Sequence, residues 1–458
     1  MGHLPPRISG SMRAQQGFFT RRISGPAQQF IHTEGASGRL LLGAAIIALI
    51  WANSPWSDSY ARLWDYHVSL DLGFIHVDES LRHWVNDALM AIFFFLVTLE
   101  VKREITRGEL STRQKAAFPV AAAIGGMVVP AAVYLAFNAG TEFSHGWGVP
   151  MATDIAFALG ALALLGRGAP PALVTFLLAL AVVDDIGAIA VIAVFYTETL
   201  NLGAAMIALA LIGAVVAAQR LGLRAIPAYV VIGAALWLAT LESGVHATIA
   251  GVALGALTPS KPNLDIRNFY ESALPLIRVI EVQSEAHEPD AQSALGELES
   301  LVYQTESPLE RLEHLIHPWS GYVVLPLFAL ANAGVPLNVD AMRDAVSSSV
   351  THGVLFGLWI GKPVGIVLAA WLAVRLGFAT LPLNVSWPQV TAVGVLAGIG
   401  FSVSIFITDL AFVTAAATEQ AKVGILAATL LAVLCAWPLL AIGSRQSGRS
   451  PTVDDASH

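Results

Sequence analysis

Two aspartates stand side by side, Asp184 and Asp185, in a stretch of otherwise apolar residues from Ala179 to Ala188. Neighbouring positions on a helix point about 100° apart, so the two carboxylates cannot share one face. One can line a cavity while the other reaches a partner helix. A carboxylate kept in apolar surroundings is costly while charged and unpaired, so it is suited to holding a proton or a hard cation that oxygen ligands bind. The plain alternative is a pair of acids satisfied by hydrogen bonds or an ion pair, against which their adjacency weighs. Asp154 follows Thr153 in the run GVPMATDI from Gly148, where proline, threonine and acid together predict a locally broken helix with freed backbone groups. A simple proline kink with Asp154 capping the resumed helix is compatible with that reading. Lys362, in GKPVG from Gly361, lies far from either end of its apolar stretch. Snorkelling is difficult there, and a buried ammonium calls for a carboxylate partner, with Asp184 and Asp154 both available. Asp409 is a fifth acid or base inside an apolar stretch.

Those residues need elements to hold them. The chain has 458 residues, of which only 13% are charged and 55% hydrophobic. That charged share is about half the usual value of roughly 25%, too little for the shell of a water-soluble protein. The stretches 199–219, 318–339 and 423–444 carry no charge and are each long enough to cross a core of about 30 Å as helix. Continuous apolar runs, rather than alternation, exclude a β-barrel. The net charge of −8 argues against nucleic acid as a partner. The single cysteine, Cys435, excludes a disulfide framework and a thiolate metal site. Residues 1–37 are polar and bear arginines without an apolar core, so no cleavable signal is expected.

Twelve spans are predicted near 38–57, 83–101, 117–138, 147–165, 171–196, 203–219, 225–241, 244–258, 319–337, 352–374, 388–412 and 421–443. This arrangement leaves Arg62, Arg82, Arg343 and Lys422 on the outer side and Lys362 within a span. The remaining Lys and Arg fall on the cytoplasmic side, which puts both termini there. Residues 1–37 and 444–458 form tails that read as disordered. Residues 259–318 form a long acidic cytoplasmic loop between spans 38–258 and 319–443, and part of it, 268–282, has apolar residues at helical spacing. The run GIGF from Gly398 weakens a second helix centre. Interrupted spans in corresponding positions of two halves point to a transporter site. At the span ends, Glu100, Lys102, Arg103 and Glu104, with Glu313, His314 and His317, gather titratable groups whose plain reading is interface anchoring. His246, in SGVHAT from Ser243, reads equally as a hydrogen-bonded helix residue or as a sensor.

These stretches, with WVNDALM from Trp84, LEVKRE from Leu99, ATDIAFALG from Ala152, and LEH to HPW between Leu312 and Trp319, resemble the NhaA family of bacterial sodium–proton antiporters from about residue 35 to 443. The resemblance implies an all-α polytopic membrane protein of about 12 transmembrane helices, with inverted repeats and two discontinuous crossing helices. It implies a secondary antiporter, not an enzyme and without a cofactor, exporting sodium or lithium in electrogenic exchange for protons, in the bacterial inner membrane. Asp185 then corresponds to the ion- and proton-binding carboxylate, with Asp184 beside it and paired with Lys362. Asp154 and Thr153 lie at the crossing. Glu100, Arg103, Glu104, Glu313 and His317 match a cytoplasmic pH-sensing region, and His246 a residue affecting pH response. Family members are often dimers. Two departures stand out: the acidic stretch 259–310 is longer than in compact members, and Asp409 replaces an expected small neutral residue.

An intramembrane aspartyl protease also needs two buried aspartates. No Gly-x-Gly-Asp run surrounds Asp154, Asp184 or Asp185, and such an enzyme explains neither Lys362 nor the second weak helix. A bile-acid or potassium carrier on the same scaffold is the remaining rival.

Overall fold

The computed structural model describes residues 36–71, 76–165, 170–197, 200–221, 226–262, 264–283, 289–383 and 385–447. The tails 1–35 and 448–458 lie outside the described residues. What is described is almost entirely helix, as the continuous apolar runs require, and the chain is an all-α membrane protein apart from one small hairpin. Among the described residues six helices are long and apolar enough to span a bilayer, from Leu81–Thr106 to Ala415–Leu440. Three further pairs are bent at a short break: Ala36–Ala52 with Ser57–Trp64 by 116°, Glu142–Met151 with Ile155–Leu165 by 47°, and Trp387–Ala397 with Phe401–Ala411 by 45°. Pro227–Glu242 and Thr248–Leu257 are shorter apolar helices. The helix Leu202–Arg220 leaves Leu202, Met206, Ile207 and Leu209 more than half exposed, the expected state of a helix whose solvent is lipid.

The helices fall into two compact units. Of the described residues, the first takes those within Met1–Trp64, Gln114–Ala188 and Ala329–His458. Inside it the helix Arg113–Asn138 and the span Ser349–Arg375 touch backbone to backbone. A Cβ on Gly125 would stand 2.1 Å from the Gly365 carbonyl oxygen, so only glycine permits that approach. The span Ser349–Arg375 contains a π-helical turn, Gly357–Gly361, immediately before Lys362. A turn of this kind widens a helix locally and recurs at functional sites. Both short breaks, at 152–154 and 398–400, belong to this unit.

The second unit comprises Asp65–Arg113 and Ile189–Phe328. It holds a two-stranded antiparallel hairpin, His67–Asp71 with His76–Ser80, which the hydrophobic pattern did not anticipate. The helical spacing read at 268–282 is realised as the helix Ile266–Gln283, packed against a further helix, Pro289–Thr305. The Leu264 amide donates to the Gln304 carbonyl at 3.0 Å and closes that pair. The next helix, Pro308–Trp319, starts ahead of the apolar stretch because Ser307 and Glu310 form a capping box with Pro308 in the first turn. The Leu309 amide donates to the Pro259 carbonyl at 3.1 Å, so the acidic insertion leaves and returns at one place.

Candidate functional site

Asp154 sits in the first break. Its Oδ1 accepts the Phe157 amide at 2.9 Å, and its Oδ2 accepts the Ser402 amide at 3.0 Å and the Ser402 hydroxyl. One carboxylate therefore caps two helix N-termini, those of Ile155–Leu165 and Phe401–Ala411, where the free amides and the dipole both favour negative charge. The breaks also meet through the main chain, since the Asp154 amide donates to the Ile399 carbonyl.

The opposite ends carry the opposite chemistry. The ammonium of Lys362 donates to the Met151 carbonyl at the end of Glu142–Met151. The Thr153 hydroxyl lies 3.0 Å from the Ala397 carbonyl at the end of Trp387–Ala397. Freed carbonyls thus receive a cation and a hydroxyl, as backbone buried away from water requires.

Both donors also serve Asp184. Lys362 Nζ is 2.9 Å from Asp184 Oδ2, and Thr153 Oγ1 is 2.7 Å from the same oxygen. Asp184 and Lys362 are fully buried, Thr153 likewise, and Asp185 is 2% exposed. Asp184 Oδ1 is buried without a hydrogen-bond partner among the described residues. An acceptor kept in that state costs free energy unless a proton or cation fills it. Of the two partners open to Lys362, the structure selects Asp184, while Asp154 is occupied by the two helix starts. All five residues read as ion- and proton-binding lie in the first unit; Asp184, Lys362 and Thr153 are bonded to one another, with Asp185 and Asp154 next to Asp184 and Thr153 in the chain.

Ser402 was missed in the sequence. Its signal was position: it follows Gly400, two residues into the resumed helix, where a hydroxyl and a free amide can meet an acid. Asp409 pairs with Lys422, Nζ to Oδ1, at 2.8 Å.

The second unit brings together most of the titratable residues named at the span ends. Arg103 forms an ion pair with Glu313 and lies 3.4 Å from Glu104, and His317 Nε2 is 4.0 Å from Glu100. Lys102 donates to the carbonyls of Ala256 and Thr258. Arg107 pairs with Glu310 and donates to the Ser260 carbonyl, holding both ends of the insertion. Burial pushes the Glu313 carboxyl above its usual value, and Arg103, His314 and His317 offset only part of that. Burial acts upward on Glu310 too, but the Ser307 hydrogen bonds and the Arg107 guanidinium outweigh it and hold that carboxyl low. His246 bonds elsewhere, through Nε2 to the Tyr196 carbonyl.

A family model described as Na+/H+ antiporter 1 matches residues 28–440. A Na(+)/H(+) antiporter NhaA of Koribacter versatilis is 43% identical over 97% of this chain and 98% of its own length. A Na(+)/H(+) antiporter NhaA 2 of Sorangium cellulosum is 45% identical over 95% of this chain and 94% of its own. A Na(+)/H(+) antiporter NhaA of Wolinella succinogenes is 45% identical over 88% of this chain and 90% of its own.

Proposed function

This chain belongs to the Na+/H+ antiporter 1 family, and from that premise we propose that sodium and protons compete for Asp184 and Asp185 beside the two helix breaks. It is a membrane transporter exchanging sodium for protons, not an enzyme. The observation that carries the site is Asp184: buried, held on one oxygen by Lys362 and Thr153, and open on the other. Sodium, a hard cation, takes oxygen ligands, and the carboxylates, the Thr153 hydroxyl and the freed carbonyls supply them. A carboxylate that has taken a proton is a poor ligand for a cation, so one occupant excludes the other.

In this reading the six long helices, the three bent pairs taken as single spans, the two shorter apolar helices and the continuous helical run 308–332 make twelve crossings in the bacterial inner membrane, with both termini cytoplasmic. The pairs at 142–165 and 387–411 are the discontinuous members of inverted repeats. Lithium is a second transported cation, and the protein works as a homodimer in the lipid bilayer. Protons carried by both Asp185 and the Asp184–Lys362 pair make the exchange electrogenic, worth about 2.3 kcal/mol per net charge per 100 mV. Glu100, Arg103, Glu104, Glu313 and His317, with His246, adjust the rate to pH.

Purified protein in liposomes tests this, with internal pH followed as external sodium, lithium or potassium is added. Sodium- and lithium-driven proton movement is expected, with none for potassium. A response to potassium alone would transfer the site to another cation.

A further inference from the structure

Asp409 and Lys422 form a second ion pair within apolar helices, apart from the Asp184 cluster, with side chains 18% and 7% exposed. Asp409 is in the last turn of Phe401–Ala411. A helix end there already carries partial negative charge from its free carbonyls, so a carboxylate is poorly placed unless a cation joins it. Lys422 supplies that cation from the neighbouring helix Ala415–Ser447. An apolar pair at such positions is often as stable as a buried ion pair, or more so. Stability alone therefore does not account for the arrangement, whereas a fixed register does.

The register has a target. Asp409 lies two helical turns beyond Ser402 on the same helix face, about 10 Å along the axis. Ser402 is the residue whose amide and hydroxyl hold Asp154. The helix carrying Lys422 is itself fastened, because the Gln420 carbonyl accepts the Thr351 hydroxyl at 2.9 Å and the Gln420 side chain accepts the Ser348 hydroxyl at 2.6 Å. Thr351 belongs to the span that carries Lys362. A circuit results that runs Asp154, Ser402, Asp409, Lys422, Gln420, Thr351, Lys362, Asp184 and closes through Thr153, which bonds Asp184 and precedes Asp154 in the chain.

We propose that Asp409 and Lys422 are positioning residues for the exchange, a clamp that fixes the half-helix Phe401–Ala411 so that Ser402 stays on Asp154 and sets the apparent affinity for sodium. This rests on the site proposed above. Proton movement in proteoliposomes, measured against sodium concentration at one pH, separates KM from kcat for Asp409→Asn, Lys422→Met, the apolar double variant Asp409→Leu with Lys422→Leu, and the charge swap Asp409→Lys with Lys422→Asp. Without the clamp, KM for sodium rises about five-fold, the weight of roughly one hydrogen bond, while kcat stays within about two-fold. The swap restores KM. Where a single variant fails to accumulate, the apolar double variant gives the reading, since it leaves no buried charge alone. Unchanged KM in a folded double variant overturns the clamp. Asp185→Asn run alongside keeps the two readings apart: persistent exchange there sinks the site, whatever Asp409 does.

Discussion

The amide of Asp154 donates to the carbonyl of Ile399 at 2.7 Å, which joins the two chain breaks by their main chains before any side chain takes part. A broken helix in an apolar medium has donors and acceptors to satisfy at each new end. Here each break supplies part of what the other lacks, and Asp154, Lys362 and Thr153 supply the rest. The carboxylate cluster is thus built on two breaks tied to each other through the main chain.

Asp185→Asn is expected to abolish sodium-driven proton movement in everted vesicles, because an amide cannot take up and release the proton. The variant keeps the volume of the buried side chain, so normal membrane yield accompanies the loss. Sodium-dependent proton flux at the parent rate would remove Asp185 from the site.

Lys362→Ala is expected to act first on stability. Removing one partner of a buried pair leaves the Asp184 charge without a cation, held only by the Thr153 hydroxyl, at a cost of about 3–5 kcal/mol. The thermal midpoint in detergent falls well below that of the parent, and Lys362→Arg recovers part of it. An unchanged midpoint would mean that water reaches Asp184.

Glu313 gives a pH dependence with a definite sign. Its carboxyl is raised in the fold above the ordinary glutamate value of 4.5. The stability it contributes is complete below that value and is lost as pH rises through the raised one. Glu313→Gln, which resembles the protonated form, matches the parent in acid and is the more stable protein at neutral and alkaline pH. The difference in thermal midpoint between the two, followed from about pH 4.5 upward, shrinks toward acid. A gap that instead widened as pH fell would reverse the assignment.

The acidic insertion is expected to be dispensable for exchange itself. Its two ends meet at Pro259 and Leu309, and Arg107 holds both Ser260 and Glu310. A short glycine–serine linker in place of 263–305 leaves kcat for sodium within about two-fold, since closing so small a gap carries little entropic cost. A loss beyond about ten-fold would make the insertion part of the transport machinery.

Much of this was legible in the residues. Charge scarcity and apolar runs gave the membrane class, and the proline, threonine and acid around Asp154 gave the first break at 152–154. Two glycines about Ile399 marked the second. Burial and spacing by themselves left the partner of Lys362 open between Asp184 and Asp154; the family resemblance implied Asp184, and the fold agrees, filling Asp154 with the Phe157 and Ser402 amides. Ser402 escaped because serine is common in membrane helices, and only a crossing partner gives it an acid to hold. The hairpin at 67–80 was hidden by length, its strands too short and polar to register against long apolar helices. The Ser307 cap was readable as S-P-x-E but was obscured by the acidic loop before it.

Thr153 has one hydrogen to give and two oxygens within reach, Asp184 Oδ2 at 2.7 Å and the Ala397 carbonyl at 3.0 Å. While Asp184 is unprotonated, its charge, shared with Lys362, draws the hydrogen; a proton on that carboxylate would make the carbonyl the better acceptor. Turning a single C–O bond would then register, on the main chain of Trp387–Ala397, whether the acid is loaded. A valine at this place, though equal in shape, would leave both oxygens without that hydrogen.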